Sequence, residues 1–457
     1  MIMDSGAERT PSSPPPGPAG YPLVGVFLGA RRNPPWFFLE STRRHGDVVS
    51  MRFGWRRVVL LSHPDDVKHV LQDHHLAFGK SAAAARIRPL FGDSLTTVDG
   101  DRWRRQRRVM RSAVHPGRVE FVERVIAASL AERLDRWPCL AARGEALDAL
   151  SEMKDVTRAI IVRLLFGEVP ANDASVLGQA LDVALEHVDD RLWSVLGWLP
   201  APLPSHWRFR HAIRTIDASV RAMVERGRRH AARSDTLLSI LLNARDPESG
   251  VPMADEELRD EVKALLVAGH TTTSSALGWL WYVLAGNPEP RRRLQREARA
   301  AATGEVAGLG YTRRVIEEVL RLYPPTWVTA RTALTDDVIR GYRIPAGSLV
   351  LLSPFVTHRR DDVWEEPERF DPERFTPERS RGRPPFAYFP FGGGPRSCLG
   401  AWLASVVMER VVTAVAQRYS LSLVPGTQVH ARPGLTLRPA PGVPMIVEAD
   451  SAQATSR

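Results

Sequence analysis

Cysteine is almost missing from this chain: Cys139 and Cys398 are the only two in 457 residues, and they stand far apart. A disulfide framework and a zinc site built from cysteine alone are therefore excluded, and the usage fits a reducing, cytosol-like compartment. Long apolar runs are missing as well. The short run Leu23 to Ala30 is far below the about 20 residues that span a bilayer. The stretch before it, Ser12-Ser13-Pro14-Pro15-Pro16-Gly17-Pro18, lacks the apolar core of a signal peptide and favours extended or disordered chain. No transmembrane anchor and a cytoplasmic location are expected. There is no helix-turn-helix, zinc-finger or RNA-binding signature, no repeat and no convincing linker. The net charge of +10 and pI near 10.1 come from arginine spread along the whole chain. That spread reads as compositional bias, so no nucleic-acid partner is expected.

What is present is enough for a large core. Val48-Val49-Ser50-Met51-Arg52-Phe53, a Gly54-Trp55 turn and Arg57-Val58-Val59-Leu60-Leu61 read as two strands, and His63-Pro64-Asp65-Asp66 as a helix start. From Arg102 to Gly286 the pattern is helical, with Val119–Trp137, Ser151–Phe166 and Arg208–Arg233 as examples; Tyr323 to Pro395 alternates short strands with turns. A last long helix, Gly400 to Tyr419, precedes a strand-rich tail. The reading is a mainly α protein with a minor β region: one domain over 20–449, between a disordered proline-rich tail (1–19) and a C-terminal tail (450–457). A monomer is expected.

The most specific stretch is Phe391-Gly392-Gly393-Gly394-Pro395-Arg396-Ser397-Cys398-Leu399-Gly400. Glycines here permit a sharp turn and close approach of backbone to a flat ligand. Cys398 falls just before a helix, where free backbone N–H groups and the helix dipole favour thiolate over thiol. A lone cysteine is more often buried and inert, or a hydrolase nucleophile. The surrounding pattern argues otherwise, because it resembles the cytochrome P450 signature Phe-x-x-Gly-x-Arg-x-Cys-x-Gly, matched at Phe391, Gly394, Arg396, Cys398 and Gly400.

Other segments carry the resemblance further. Glu318 and Arg321 stand one helical turn apart, ordinarily a routine ion pair; in the family a Glu-x-x-Arg joins the arginine of a Pro-Glu-Arg-Phe element to lock the structure behind the haem. That element is Pro372-Glu373-Arg374-Phe375, although Pro367-Glu368-Arg369-Phe370 lies just upstream. The resemblance also implies that Trp103 and Arg107, one turn apart, and Arg331 meet the haem propionates together with Arg396, and that Gly392 and Gly400 belong to the haem loop. Arg104, Arg105, Arg108 and Arg111 are then left over, a surplus suited to an acidic ferredoxin or flavodoxin-type electron donor.

The long apolar helix starting near Ala254 departs from the pattern. Leu265-Leu266-Val267-Ala268-Gly269-His270-Thr271-Thr272 has Thr271 where the family usually has an acid. Small Ala268 and Gly269 leave room for dioxygen, unless they only serve helix packing. Clustered threonines can bond back to helix carbonyls and open a watered groove. Thr272 aligns with the family's oxygen-activating alcohol. His270 is expected to face away from the haem.

The resemblance implies haem b (iron protoporphyrin IX) with Cys398 as its metal ligand, and NAD(P)H only indirectly through redox proteins. It implies insertion of one oxygen atom from dioxygen into a lipophilic small molecule, by hydroxylation or epoxidation. A peroxide-driven peroxygenase and a non-catalytic haem-binding protein are the alternatives. Thr326, Trp327, Val328 and Thr329, with the segments 82–97 and 177–199, are expected to line the pocket. Their apolar character points to a terpenoid, polyketide or fatty acid.

Overall fold

The computed structural model describes residues 14–80, 84–112, 116–192, 204–230, 235–305 and 308–449. The chain divides into two compact units, each discontinuous in sequence.

The first unit takes residues up to 83, together with 327–367 and 383–397. Its centre is a five-stranded sheet in the order Val48–Phe53, Arg56–Leu61, Leu349–Leu352, Thr329–Ala333, Phe78–Lys80. The first two strands form the hairpin expected from the Gly54-Trp55 turn, with Val48 opposite Leu61 and Phe53 opposite Arg56. Arg56–Leu61 continues in parallel to Leu349–Leu352, and that pairing needs distant chain, so local pattern could not show it. His63 caps the helix Pro64–Lys68 by accepting from the Asp65 N–H, as its sequence position suggests. Val59, Leu61, Val67, Phe78, Val350 and Leu352 form the buried core of this unit.

The tail boundary at residue 20 needs correcting. Residues 1–13 lie outside the described residues, but Ser50 N–H donates to Pro16 O at 2.8 Å. A Cβ on Gly17 would lie 1.8 Å from Ser50 O, so this residue is packed against the sheet edge.

The second unit takes 84–326, 368–382 and 398–457, and is mainly helical. Helices Ala149–Phe166 and Pro204–His230 pack on the long helix Asp255–Gly286, Ala171–Leu192 packs on Pro204–His230, and Ala401–Arg418 follows the cysteine. Three acids in the first turn of Asp255–Gly286 suit its positive end. Leu258, Val262, Leu266 and Val267 are buried along it, and Ala149–Phe166 packs alongside with Ile160, Ile161, Leu164 and Leu165. A small sheet orders Ala146–Asp148, Pro444–Ala449 and Tyr419–Leu423. Residues 450–457 lie outside the described residues. Among the described residues, no helix is long and apolar enough to cross a membrane.

Candidate active site

In the second unit, Cys398 sits two residues before the helix Ala401–Arg418, with Gly400 at the helix start. The Gly400 N–H donates to its sulfur, and Arg107 is close enough for its charge to act on it. Burial nevertheless outweighs both and pushes the thiol up, with the Gly400 bond and Arg107 opposing. A backbone N–H at the helix start was expected from the sequence; the influence of Arg107 on the sulfur and the desolvation that overrides both were not. The same side chain is open on one side. A sulfur held in a recess that penalises a bare thiolate, yet is reachable from one direction, suits a metal ligand, since a bound cation deprotonates its thiol. The residues present therefore fit a haem iron.

Arg107 belongs to Gly100–Arg111 and is half-buried, as is Trp103 one turn before it. Its pKa is lowered, chiefly by burial and then by Arg111, while Cys398 acts in the opposite sense. The expected surplus of arginines on this helix is largely not there. Arg104 pairs with Asp101, Arg105 with Glu257, and Arg108 with Asp246 at 2.8 Å and Glu248 at 3.0 Å. Only Arg111 of the four has no ion pair among the described residues. Arg104 is paired by a neighbour one turn away, but Arg105 and Arg108 are neutralised by acids from distant positions, invisible to local reading.

The Glu318–Arg321 pair is fully buried and bidentate, with Nε to Oε2 at 2.7 Å and Nη2 to Oε1 at 2.8 Å. Arg374 Nε stands 3.3 Å from Glu318 Oε1, and the Asp371 N–H donates to that oxygen at 2.9 Å. Arg369 supplies only its carbonyl, which accepts from Arg321 at 3.2 Å. Of the two Pro-Glu-Arg-Phe copies, the downstream one thus puts its guanidinium on Glu318.

On Asp255–Gly286, Ala268 is exposed and Thr272 half-exposed, while Gly269 and His270 turn the other way. A Cβ on Gly269 would lie 2.8 Å from Ile161 Cδ1, so its smallness serves packing against Ala149–Phe166, not space for dioxygen. Ala268 keeps the open position. Thr272 Oγ1 donates to Ala268 O at 2.7 Å and Thr271 Oγ1 to Val267 O, so the threonines do bond backward. The helix nevertheless runs unbroken from Asp255 to Gly286.

His270 is wholly buried, about 200° around the helix from both Ala268 and Thr272 by the helical repeat. Its Nδ1 is 2.7 Å from Leu266 O, and Nε2 has no hydrogen-bond partner among the described residues. Burial lowers its pKa to about 4, which keeps it neutral.

Sequence reading missed Glu261. It precedes Ala268 by seven residues and Thr272 by eleven, which puts all three on one helix face. Glu261 is 1% exposed, and its Oε1 accepts from the Leu95 N–H at 2.9 Å. Burial raises its pKa to about 8. Asp260 accepts from Asp93 N–H at 2.7 Å and Gln106 Nε2 donates to Asp93 O at 3.0 Å, so the loop after Ala84–Phe91 is clamped to two helices. The spacing from Ala268 was the available signal; the Leu95 partner was not visible.

In the first unit, Gly392 and Gly394 have φ of 70° and 64°, as the turn requires. A Cβ on Gly394 would lie 2.0 Å from Leu71 O, and one on Gly393 2.0 Å from the Phe386 ring. Two of the three glycines are thus demanded by protein packing, and only Gly392 has open space beside it. Phe391 and Arg396 are half-buried. Arg331 is buried and donates to Thr329 Oγ1 at 3.0 Å and Ala330 O at 2.9 Å. Trp327 does not fit a pocket wall: it is 1% exposed, is stacked on Phe38 at 5.9 Å, and its carbonyl accepts from Ser353. Val328 and Thr329 are half-buried, and Thr326, in the second unit, is exposed. Of the expected lining segments, 82–83 and 193–199 lie outside the described residues.

A helix-start cysteine, a buried Glu-x-x-Arg pair and an open small-residue step on a long helix define a haem-thiolate protein. The cytochrome P450 family model matches residues 15–444, and the chain belongs to that family. It is 33% identical over 435 residues, 93% of each chain, to cyclooctatin synthase of Streptomyces melanosporofaciens. It is 32% identical over 441 residues, 94% of each, to cyclooctat-9-en-7-ol 5-monooxygenase of the same organism, and 28% identical to pentalenene oxygenase of Streptomyces avermitilis, covering 90% of this chain and 92% of that one. Among solved structures, retinoic acid-bound cyanobacterial CYP120A1 superposes with TM-score 0.83 at 25% identity, covering 96% of this chain and 99% of that one. The cytochrome P450DA heme domain gives 0.86 at 25%, covering 96% and 97%. The protein is a haem-dependent monooxygenase with the mainly α fold of its family.

Proposed function

We propose that this monooxygenase oxidises a terpenoid-class lipophile, with Cys398 holding the haem iron and separate redox proteins supplying electrons. The single observation that carries the ligand assignment is the sulfur of Cys398, tied to the Gly400 N–H, within reach of Arg107 and open on one side. Haem, when bound there, supplies dioxygen binding and one-atom oxygen transfer, with a thiolate ligand favouring O–O cleavage.

The chain's own residues supply the rest. Gly400 N–H holds the sulfur in place, and Arg107 offers a cation to a propionate. Arg331 and Arg396 keep the propionate role that the family resemblance gives them, with Trp103 beside Arg107 on its helix. Glu318, Arg321 and Arg374 form a paired buried network whose loss leaves an uncompensated charge, so it preserves the fold on which haem uptake depends. Ala268 keeps the long helix low on its open face. Thr272 holds its proton on Ala268 O and can release it by rotating its hydroxyl, while Thr271 offers no carboxylate to replenish that proton.

Two relatives, cyclooctat-9-en-7-ol 5-monooxygenase and pentalenene oxygenase, are named for oxidising terpenoids, and this supports the substrate class. With acids pairing most of the Gly100–Arg111 arginines, a redox protein must find its attraction chiefly at Arg111 and beyond that helix. The test is a spin-state titration of the haem-loaded protein against a library of terpenes, polyketides and fatty acids. Terpenes and terpene alcohols are expected to give the tightest substrate-type shifts; fatty acids dominating the hits would overturn the class.

A further inference from the structure

We infer that the tip of the first unit's hairpin is a docking surface for an anionic phospholipid bilayer. Residues Tyr21 to Gly25 form a tight turn closed by two backbone hydrogen bonds of 2.9 Å between Tyr21 and Gly25. This turn is sewn to the strand Val48–Phe53 and the turn after it, through Val26 N–H to Arg52 O at 2.8 Å and Gly54 N–H to Val24 O at 3.2 Å. The result places Tyr21, Leu23 and Trp55 together, 65%, 90% and 78% exposed.

Three local rules are broken at this one tip. Leu23 has φ of 67°, a left-handed conformation that disfavours a branched apolar side chain and here presents it to solvent. Trp55 stands in the hairpin turn with most of its ring outside. Arg52 and Arg57 face each other directly across the two strands, a like-charge pair that weakens a hairpin. Arg31 and Arg32, just past the helix Phe27–Ala30, are also exposed. None of these four arginines has an ion pair among the described residues, whereas most arginines of Gly100–Arg111 do.

The chemistry of the occupant follows from what the tip offers and omits. The two segments that build it, Pro14–Leu39 and Val48–Pro64, contain no aspartate or glutamate. An aliphatic side chain at the apex, Trp and Tyr beside it and a rim of unopposed arginines match the acyl boundary, headgroup level and phosphate layer of an anionic membrane surface. An acidic protein would satisfy the arginines, but would leave Leu23 and Trp55 without an apolar counterpart. This contact is peripheral, since no described helix spans a bilayer. It is independent of the haem-site assignment.

The test is co-sedimentation of the full-length, haem-loaded protein with vesicles of phosphatidylcholine containing about one third phosphatidylglycerol, and with pure phosphatidylcholine, at about 0.1 M salt. The wild type is expected to partition onto the anionic vesicles and to leave them as salt rises. Arg52→Gln with Arg57→Gln should weaken binding by about tenfold or more, and Leu23→Ser with Trp55→Ser comparably. Arg292→Gln with Arg296→Gln, which removes the same charge elsewhere, should change little. If the serine variants lose their haem spectrum, quenching of tryptophan fluorescence by brominated lipid replaces them; it should drop between wild type and Trp55→Phe. A wild type that stays in the supernatant, a charge control as weak as the tip variants, or unaltered quenching in Trp55→Phe would overturn the proposal. So would association with an acidic protein but not with vesicles.

Discussion

The cysteine end of the second unit and the middle of its long helix were built under different demands. Around Cys398 the backbone partner is local in sequence, Gly400 two residues away within the same motif, and Arg107 is added from a distant helix. On Asp255–Gly286 the decisive neighbours come from other segments: Ile161 against Gly269, Leu95 against Glu261, and Thr157 Oγ1, which donates to His270 O at 3.2 Å. A motif specifies the first kind of site. The second is specified by packing, and the departure at Thr271 sits in it.

Breaking the buried network should give the largest effect. Glu318→Ala leaves Arg321 and Arg374 buried without their carboxylate, and is expected to lower stability by about 3–5 kcal/mol. Denaturant unfolding and the haem-to-protein ratio of purified protein check this; an unchanged ratio with normal stability would show that the network is dispensable.

The two buried titratable groups on the long helix pull stability in opposite directions with pH. Glu261 has its folded pKa raised from 4.5 to about 8, so the folded state binds the extra proton and its contribution is lost as pH rises through that window. His270 has its folded pKa lowered from 6.5 to about 4, so the unfolded state binds the extra proton and stability is lost as pH falls through that window. Between about 4.5 and 6.5 the two oppose each other; above 6.5 only Glu261 remains. The difference in unfolding free energy between Glu261→Gln and wild type should therefore change with pH by up to about 1.4 kcal/mol per unit between 6.5 and 8. A difference independent of pH there would contradict the assignment.

Adjacent small residues on the helix should respond in opposite ways. Gly269→Ala pushes into Ile161 and should destabilise by about 1–3 kcal/mol, with the haem spectrum unaltered. Ala268→Val, on the open face, should leave stability within about 0.5 kcal/mol but alter the affinity of ligands that shift the spin state. Thermal unfolding and spectral titration separate the two, and equal destabilisation would dissolve the distinction. The smallest effect expected is at Thr271: restoring a carboxylate with Thr271→Glu should lower the peroxide released per product formed, measured at saturating redox partner. An unchanged ratio would mean that proton supply does not limit this enzyme.

The fold was largely legible because its signals are periodic and local: the 48–61 hairpin, the long helices and the helix after Cys398 fall within a few residues of where pattern places them. The parallel pairing of Arg56–Leu61 with Leu349–Leu352 was not, since it joins distant segments. Site residues divide the same way. Cys398, Glu318 and Arg321 stood out by spacing. The neutralised arginines of Gly100–Arg111 and the buried Trp327 did not, because charge pairing and burial depend on what the chain brings from elsewhere. Glu261 lay between these cases, since its face could be counted but its burial could not.

The central claim, that Cys398 is the iron's thiolate ligand, is tested most directly by the carbon monoxide difference spectrum of the reduced, haem-loaded protein. Wild type should show the red-shifted band of a thiolate-ligated haem, and Cys398→Ser should lack it while retaining a folded protein by circular dichroism. A wild type without that band, or a serine variant that keeps it, would contradict the assignment.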